Sequence, residues 1–292
     1  MGVKERVDLI SDNHNLNVNM KPTTVKIELT GICTLNCKFC FNQVMKKEGL
    51  RQSMMSDDMF DKILKSMKKI GSIKEVGLFY MGESGLHPKM PEYYKKLKEE
   101  GYFTYLTTNG TILDVILDCI PYVDSLKISW NYKNLPDFLE KTNRTPLIYD
   151  KIKSNIEIIY TRCKEMNKPL AISTVLDSKK EDYEEVLSEL SYDEHYWLPL
   201  QTQGGLVEGT DGVVGEYDNQ STPIPCWSLF KGLYFDVDGN VRCCCYGHKN
   251  YHILGNILED DILNIINSDK LLDMRRKHLD GLIPEECREC LK

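Results

Sequence analysis

Three cysteines at the spacing CxxxCxxC, directly after a short apolar and β-branched run, constrain this chain more than any other feature. Cys33, Cys37 and Cys40 follow a predicted strand over residues 24–30. A loop this short can bring three thiolates to one iron–sulfur cube, and because a cube has four irons, one iron is left open for a reactant. A zinc site would need a fourth ligand, and no further His or Cys lies within the loop. The sequence therefore predicts a reactive iron–sulfur centre at the end of a strand.

Residues 31–40 resemble the signature of the radical S-adenosylmethionine (radical SAM) enzymes. Phe39 matches the aromatic residue that this family usually carries just before its third cysteine, and we count it among the SAM-binding residues. The resemblance implies a 4Fe-4S cluster whose open iron chelates the amino and carboxylate groups of SAM. It also implies that one electron cleaves SAM to a 5′-deoxyadenosyl radical, which abstracts a hydrogen atom from a substrate.

The composition limits the partners and the compartment that the chain can have. Its 292 residues carry a formal net charge of −7, which argues against nucleic acid as a partner. No apolar run reaches the roughly 18 residues of a membrane-spanning helix, and the N-terminus lacks the apolar core of a signal peptide. The 11 cysteines cluster as metal ligands do, rather than as a disulfide framework. We therefore expect a cytoplasmic protein with no membrane partner.

Strand-like and helix-like segments alternate along the first 200 residues. Strands are predicted at residues 24–30, 74–80, 102–107, 125–130, 170–176 and 195–200, and helices at 57–70, 91–100, 113–120, 148–166 and 183–190. This alternation predicts an α/β fold with a parallel sheet and crossover helices. The radical SAM resemblance makes the sheet a partial (β/α)6 barrel, whose active site would lie at the carboxyl ends of the strands.

Polar residues end three consecutive predicted strands, where the same resemblance implies a SAM site. Met81-Gly82-Glu83 resembles the family's GGE motif, although Met81 replaces the first glycine, and the acid of that motif binds the methionine ammonium by a charge-assisted hydrogen bond. The next two strands end in a segment similar to the family's TNG and in a serine. The alternative for each segment is an ordinary turn. The implied SAM-binding residues are Gly82, Glu83, Ser84, Thr108, Asn109 and Ser129.

Six more cysteines lie in the C-terminal part of the chain. Asp238-Gly239 separates two β-rich runs, 232–236 and 241–245, and predicts a hairpin, followed by a helix over 260–279. Four thiolates near such a hairpin suit either zinc or iron. This part resembles the SPASM/Twitch extension of radical SAM enzymes, which implies one auxiliary 4Fe-4S cluster. With the register set from the turn glycine, the implied ligands are Cys226, Cys244, Cys287 and Cys290.

The cysteine triplet 243–245 cannot direct all three thiols to one cluster if it lies on a strand. Successive side chains of a strand alternate between its faces, so a ligating Cys244 leaves Cys243 and Cys245 facing away from the cluster. A free thiol near a substrate radical can donate a hydrogen atom, and we predict Cys245 as that catalytic donor. The alternatives are a packing role, or a bulge that makes Cys243 or Cys245 the ligand.

The predicted organisation is an N-terminal arm (1–22), a radical SAM core (23–203), a linker (204–225) and an auxiliary-cluster domain (226–292). With an arm of this length, we expect no leader-binding module of the kind that peptide-modifying family members often carry. The predicted activity is hydrogen abstraction from a small metabolite, sugar or peptide, giving dehydrogenation or epimerisation. A reductant such as flavodoxin or ferredoxin is expected to supply the electron. The alternative is a non-enzymatic iron–sulfur carrier or scaffold, which would need no SAM site.

Overall fold

A computed structural model describes residues 14–49, 52–200, 225–246 and 250–288, and these residues build one nine-stranded sheet. The strands are β1 (Thr24–Ile27), β2 (Glu75–Gly77), β3 (Phe103–Thr108), β4 (Ser125–Ser129), β5 (Leu170–Leu176), β6 (Glu194–Pro199), β7 (Gly232–Phe235), β8 (Asn240–Arg242) and β9 (Ile253–Asn256). Their order across the sheet is β6-β5-β4-β3-β2-β1-β7-β8-β9. Every pair from β6 to β7 is parallel, whereas β8 and β9 are added in antiparallel fashion.

Helices connect the parallel strands, as the alternating pattern predicts. They are α1 (Asn42–Lys47), α2 (Asp57–Ile70), α3 (Met90–Glu99), α4 (Asp114–Cys119), α5 (Leu135–Thr142), α6 (Pro146–Glu165), α7 (Glu184–Ser188), α8 (Trp227–Lys231), α9 (Ile262–Ile266), α10 (Asp269–Leu279) and α11 (Glu285–Arg288). Helix α2 has the predicted bounds because both of its ends are capped. The Ser56 hydroxyl accepts from the Met59 amide at 3.2 Å, and Gly71 ends the helix at φ +73°.

The two faces of the sheet differ in the side chains that they carry. On β1, Val25 and Ile27 are fully buried in the main hydrophobic core, which α2 covers with Ile63 and Met67. Lys26 alternates with them and so lies on the opposite, inner face of the sheet. Parallel strands with helices on the outer face form the predicted partial barrel, and the predicted fold class is confirmed.

The C-terminal hairpin belongs to the same sheet as the barrel strands. β7 pairs with β1 in parallel, with Tyr234 opposite Lys26. In the hairpin turn, the Asp236 carboxylate accepts from the Asn240 amide at 3.0 Å, and Gly239 has φ +82°. The predicted second strand, 241–245, is wrong at its C-terminal end because β8 ends at Arg242. A register shift against β9 begins there and takes the cysteine triplet out of the ladder.

One predicted helix is broken in the structure, and other helices were not predicted. The predicted helix 260–279 is broken into α9 and α10, because Ser268 stops one helix and caps the next by accepting from the Leu271 amide at 3.4 Å. Helix α5 was not predicted, although its N-terminus has a clear signal: the Asn134 side chain accepts from the Asp137 amide at 3.0 Å. Helix α1, directly after the cysteine loop, was also missed.

A buried arginine ties the C-terminal helices to the rest of the fold. Arg275 of α10 is 2% exposed and donates to the carbonyl oxygens of Leu229 (3.1 Å), Phe230 (2.9 Å), Val18 (3.0 Å) and Met20 (2.7 Å). Burial lowers the pKa of this guanidinium to about 10. The carbonyl acceptors replace the water that its charge loses. Of the helices in the described part of the chain, none is both long enough and apolar enough to cross a bilayer.

Candidate active site

The cysteine loop leaves the carboxyl end of β1, and cations from two helical regions hold its backbone. The Lys46 ammonium on α1 donates to the carbonyl oxygens of Cys33 (3.2 Å) and Leu35 (3.0 Å). The Arg144 guanidinium, between α5 and α6, donates to the Thr34 carbonyl at 2.6 Å. No sequence motif marks either cation, so both were missed. Together these contacts hold three carbonyl groups of the loop backbone.

The three thiols of the loop share one desolvated environment. Burial, and then the nearby Glu83 carboxylate, raise the pKa of Cys33 to about 11. Burial, followed by the neighbouring thiols of Cys40 and Cys33, raises the pKa of Cys37 to about 12, and burial also raises the pKa of Cys40. Three soft sulfur donors that oppose each other's ionisation suit a cationic iron centre, which offsets their charge. The residues present therefore fit a three-thiolate iron–sulfur cluster.

Two polar side chains from neighbouring strand ends reach the thiols. The side-chain amide of Asn109, just after β3, donates to Cys33 Sγ at 3.6 Å and to Thr34 Oγ1 at 3.1 Å. The Tyr132 hydroxyl, three residues after β4, lies 3.7 Å from Cys37 Sγ. Asn109 is among the residues predicted to bind SAM, and the structure places its side chain beside the cysteine loop, whereas Tyr132 was not predicted. Both groups place hydrogen-bond donors at the loop sulfurs.

Gly82 is where the turn after β2 packs against the cysteine loop. Its backbone has φ +67°, and a Cβ atom at this position would lie 2.3 Å from the Thr30 carbonyl oxygen and 2.5 Å from that of Ile32. The next residue continues the contact, since the Glu83 amide donates to the Ile32 carbonyl at 2.8 Å. Only glycine allows both the backbone conformation and this close approach. The glycine therefore sets the distance between the two segments that carry the site.

We expect Gly82→Ala to destabilise the protein by roughly 1–3 kcal/mol more than Gly71→Ala, because overpacking adds to backbone strain. Gly71 is a matched control, with φ +73° and with 3.9 Å between the place its Cβ atom would take and the nearest heavy atom, a carbonyl oxygen. Urea denaturation of the two iron-free variants measures the difference, and iron content after reconstitution shows whether the cysteine loop still loads. Equal losses of stability in the two variants would contradict the close packing described above.

Glu83 links the ends of β2 and β3 inside the protein. The residue is 3% exposed. One carboxylate oxygen accepts from the Thr108 hydroxyl (2.8 Å) and the Gly85 backbone amide (3.1 Å). The other accepts from the Asn109 backbone amide (2.8 Å). Burial raises the pKa of Glu83, while these three donors act in the opposite direction. Two carboxylate oxygens offer about four acceptor positions, so three protein donors leave room for one more.

The remaining predicted SAM-binding residues lie around this carboxylate and at the neighbouring strand ends. Ser84 is 1% exposed, and its hydroxyl has no hydrogen-bond partner among the described residues. Ser129 ends β4 opposite Ser173 of β5. Ser173 was not predicted, yet it is fully buried, and within the same described ranges its hydroxyl also lacks a partner. Phe39 is half-buried within the cysteine loop. Two buried hydroxyls of this kind are available to a bound molecule.

A second group of cysteines lies beside the end of β8. Cys226 precedes α8, Cys287 lies in α11, and Cys290 lies outside the described residues. Burial raises the pKa of Cys226 to about 12, and the thiols of Cys245 and Cys287 contribute to the same shift. Burial and Cys287 likewise raise the pKa of Cys243 to about 12. Residues far apart in the sequence thus form one thiol-rich group.

Within the triplet, the thiols do not divide as strand alternation predicts. The Cys244 and Cys245 thiols hydrogen-bond to each other, which raises the pKa of Cys244 and lowers that of Cys245. Cys243 is 2% exposed, and its thiol lies 3.6 Å from the His252 carbonyl oxygen. The predicted alternation of the three side chains between two faces is wrong, because the triplet follows β8 rather than forming part of it. Cys245 also accepts a hydrogen bond from Ser228.

A small aromatic cluster, missed from the sequence, joins the two groups of cysteines. Phe41, next to the loop, packs with the buried Met81, and its ring meets that of Tyr246 edge-on at 6.3 Å between centroids. Tyr80 packs against the same cluster and donates its hydroxyl hydrogen to the Cys244 carbonyl at 2.9 Å. The residue that replaces the first glycine of the GGE-like motif therefore has a packing role in this chain.

Comparison with protein families identifies both halves of this arrangement. The sequence model of the radical SAM superfamily matches residues 27–190, and that of SPASM, an iron–sulfur cluster-binding domain, matches residues 226–291. Across the described ranges, no three His, Cys, Asp or Glu side chains converge on a position for a single metal ion. The SPASM match therefore provides the reason to prefer iron–sulfur over zinc for the C-terminal cysteines.

Solved structures of the same overall fold are similar over most of this chain. SuiB of Streptococcus suis bound to precursor peptide SuiA has a TM-score of 0.66 at 15% identity, over 92% of this chain and 69% of that one. BtrN in complex with AdoMet and 2-DOIA has a TM-score of 0.58 at 13% identity, over 89% of this chain and 88% of that one. The protein anSMEcpe with AdoMet and Kp18Cys peptide has a TM-score of 0.62 at 13% identity, over 92% of this chain and 88% of that one. At these identities the likeness concerns the fold alone.

One sequence relative is more similar over a shorter stretch. It is the tungsten-containing aldehyde ferredoxin oxidoreductase cofactor-modifying protein of Pyrococcus furiosus, 32% identical over 87 residues. The match covers 30% of this chain and 24% of that protein. The chain therefore matches about a quarter of the relative's length.

Proposed function

The chain belongs to the radical SAM superfamily, and from this premise we propose that it abstracts a hydrogen atom from a hydroxyl-bearing small molecule and completes a two-electron dehydrogenation. Its two matched families imply SAM, the 4Fe-4S cluster that binds SAM and an auxiliary 4Fe-4S cluster as its cofactors. The observation that carries the proposal is that the cysteine loop, the buried Glu83 and the second group of cysteines meet at one end of the barrel.

The residues proposed to hold these groups are the two sets of cysteines predicted from the sequence. Cys33, Cys37 and Cys40 would hold the first cluster, and Cys226, Cys244, Cys287 and Cys290 the auxiliary one. When bound, SAM and the clusters supply a 5′-deoxyadenosyl radical that takes a hydrogen atom and a site that accepts one further electron. In balance, the substrate carbon loses that hydrogen atom, its hydroxyl loses a proton, one electron leaves, and a carbonyl forms.

The chain's own residues bind and orient the reactants. Glu83 is proposed to accept from the methionine ammonium of SAM at its remaining acceptor position. The Ser84 hydroxyl, buried beside Glu83, would donate to the SAM carboxylate, and Ser129 would contact the ribose. Phe39 and Gly82 complete the SAM-binding set, with the glycine allowing the close approach of the two segments.

The substrate class is supported by the relatives more than by any single side chain. A small molecule is favoured because the Pyrococcus furiosus relative is named for modification of a cofactor and the BtrN structure holds 2-DOIA. A peptide is the alternative, since SuiB and anSMEcpe have been solved with peptides. An external reductant of the flavodoxin or ferredoxin type would supply the first electron.

Anaerobic reconstitution tests the proposal directly. With dithionite and SAM, formation of 5′-deoxyadenosine is expected, and a carrier or scaffold protein would form none. With a panel of deuterated alcohols, sugars and short peptides, the true substrate transfers deuterium into 5′-deoxyadenosine and yields a product that lacks this deuterium and one further hydrogen. A substrate that transfers deuterium but returns with a hydrogen in its place, one mass unit lighter, would contradict dehydrogenation.

Epimerisation is a second candidate function, favoured by the position of Cys245. Its thiol accepts from Ser228 and lies within the field of Lys26 on the inner face of β1. A thiol on the barrel side of the triplet could return a hydrogen atom to a substrate radical, which leaves the mass unchanged in normal water. In deuterium oxide, the epimerised product would gain one solvent deuterium, whereas a dehydrogenated product would not.

Iron counting on alanine variants tests the proposed roles within the triplet. We expect Cys244→Ala to lose about one cluster of iron, roughly four atoms per chain, and Cys245→Ala to keep that iron. Cys119→Ala is the matched control, because this buried thiol lies in helix α4. Loss of iron in the Cys245 variant would make it a ligand. Retention of both iron and full product formation would exclude Cys245 as hydrogen-atom donor.

A further inference from the structure

Lys26 lies on the inner face of the barrel, beside strand β7, which leads to the second group of cysteines. Lys26 and Tyr234 are partners in the parallel pairing of β1 and β7, so their side chains share a face. The Lys26 ammonium lies 5.7 Å from the centroid of the Tyr234 ring and 5.4 Å from that of Phe79. Both rings present their negative faces to the cation. The charge is therefore held in place near the tyrosine.

Tyr234 connects this charge to the cysteine triplet. Its hydroxyl lies 2.6 Å from the Ser228 hydroxyl, and Ser228 in turn donates to the Cys245 thiol. The Tyr234 ring also lies 5.3 Å from that of Tyr80, whose hydroxyl donates to the Cys244 carbonyl. Two routes of contact, both of which pass through Tyr234, thus connect Lys26 with the triplet.

A fixed positive charge in this position has a definite effect on an iron–sulfur cluster. A cube held by thiolates is anionic, and reduction adds one more negative charge without forming or breaking a bond. Net charge and exposure near a cluster set its reduction potential. Glu75 of β2, and Glu28 directly after β1, carry carboxylates that act in the opposite direction. Arg242, opposite Tyr234 on β8, is paired with Asp236 at 2.8 Å. Lys26 is the cation on β1 that offsets them.

We propose that Lys26 raises the reduction potential of the auxiliary cluster and so makes it a better acceptor for the electron that the substrate radical gives up. This inference rests on the proposed function, since it requires that the second group of cysteines holds a cluster. It assigns Lys26 as a positioning residue that acts on the cluster through charge, and it gives the electron a direction, away from the barrel interior and towards the C-terminal extension.

Redox titration of the reconstituted holoenzyme, followed by electron paramagnetic resonance, measures this effect. The variant lacking Cys33, Cys37 and Cys40 identifies which signal belongs to the auxiliary cluster. We expect Lys26→Met to lower the equilibrium constant for reduction of that cluster at least tenfold, a shift of about 59 mV for a one-electron couple. Lys26→Gln should give the same direction, and Lys26→Arg, which keeps the charge, should stay within threefold of wild type.

Lys127→Met is the matched control for the loss of a lysine on the inner face. Lys127 also lies over an aromatic ring, 5.3 Å from the centroid of Tyr196. However, β4 is three strands away from β1, a distance of about 14 Å at the usual strand spacing. Its removal should leave the equilibrium constant for reduction of the auxiliary cluster within twofold of the wild-type value. Equal shifts for Lys26→Met and Lys127→Met, or no shift for either neutral Lys26 variant, would overturn the inference.

The failure of this inference and that of the proposed function give different results. If wild-type protein loads about four irons instead of about eight, no auxiliary cluster forms, and both are overturned. If eight irons load and Lys26→Met leaves the potential unchanged, the proposed function stands and the role of Lys26 is refuted. If the neutral variants load only about four irons while Lys26→Arg loads about eight, Lys26 acts in cluster assembly, and its role in setting the reduction potential is refuted.

Discussion

Replacing Cys37 with alanine is expected to abolish SAM cleavage, with 5′-deoxyadenosine formation falling by more than about 100-fold. Even the outer partners of metal ligands are worth 10- to 100-fold, and a direct ligand should be worth more. Cys33→Ala and Cys40→Ala should behave alike, because each removes one of three anchors from the same cube. Each variant should also lose roughly four irons per chain.

Cys163→Ala is the control that separates this effect from general damage. Cys163 is fully buried in helix α6, packs in the main core and belongs to neither of the two predicted ligand sets. We expect this variant to keep its iron and its activity while losing about 1 kcal/mol or more of stability. Undiminished 5′-deoxyadenosine formation in a purified variant lacking all three loop cysteines would refute the radical SAM mechanism for this chain.

The second large effect is expected for Glu83→Gln, which should weaken SAM binding roughly 10- to 100-fold. Hydrogen bonds to charged groups contribute about 1.5–3 kcal/mol, and the amide removes the charge that faces the methionine ammonium. The amide must also place an NH2 group near donors from Thr108, Asn109 or Gly85. A loss of stability of about 1–3 kcal/mol should therefore accompany the loss of affinity.

The two consequences can be measured separately. Anaerobic calorimetry gives the SAM affinity, and urea denaturation of the iron-free protein gives the stability. Glu100→Gln is the control, since its carboxylate forms an exposed ion pair with Lys68 at 2.6 Å, and such pairs contribute little. An unchanged SAM affinity in Glu83→Gln, with only the stability reduced, would show that Glu83 serves the fold and does not contact SAM.

Local patterns predicted most of the barrel because its elements obey simple periodicities. Strand β5 and helix α2 have the predicted bounds, and the other barrel strands fall within their predicted ranges or differ by one residue at an end. Helix ends were predicted where a cap residue marks them, as Ser56 and Gly71 do. The break between α9 and α10 was missed because the apolar period continues across Ser268, while the serine caps a new helix.

The triplet shows how a correct rule can be applied to the wrong element. Side chains alternate along a strand, but the strand ends at Arg242, one residue before Cys243. The register shift against β9 that ends it depends on a partner strand ten or more residues away. No local pattern in residues 240–245 contains that information. The thiol contact between Cys244 and Cys245 was therefore not predictable from the triplet alone.

By itself, the sequence determined the chemistry of the loop and the order of the elements, because thiolate spacing and apolar periodicity are local properties of the chain. Only the tertiary structure decided which distant groups meet: Lys46 and Arg144 on the loop carbonyls, Asn109 on Glu83 and Cys33, and Tyr80 on Cys244. It also decided that β7 joins β1, which brings Lys26 beside Tyr234. These contacts depend on strand pairing and register, which are set by the packing of the whole sheet rather than by neighbouring residues.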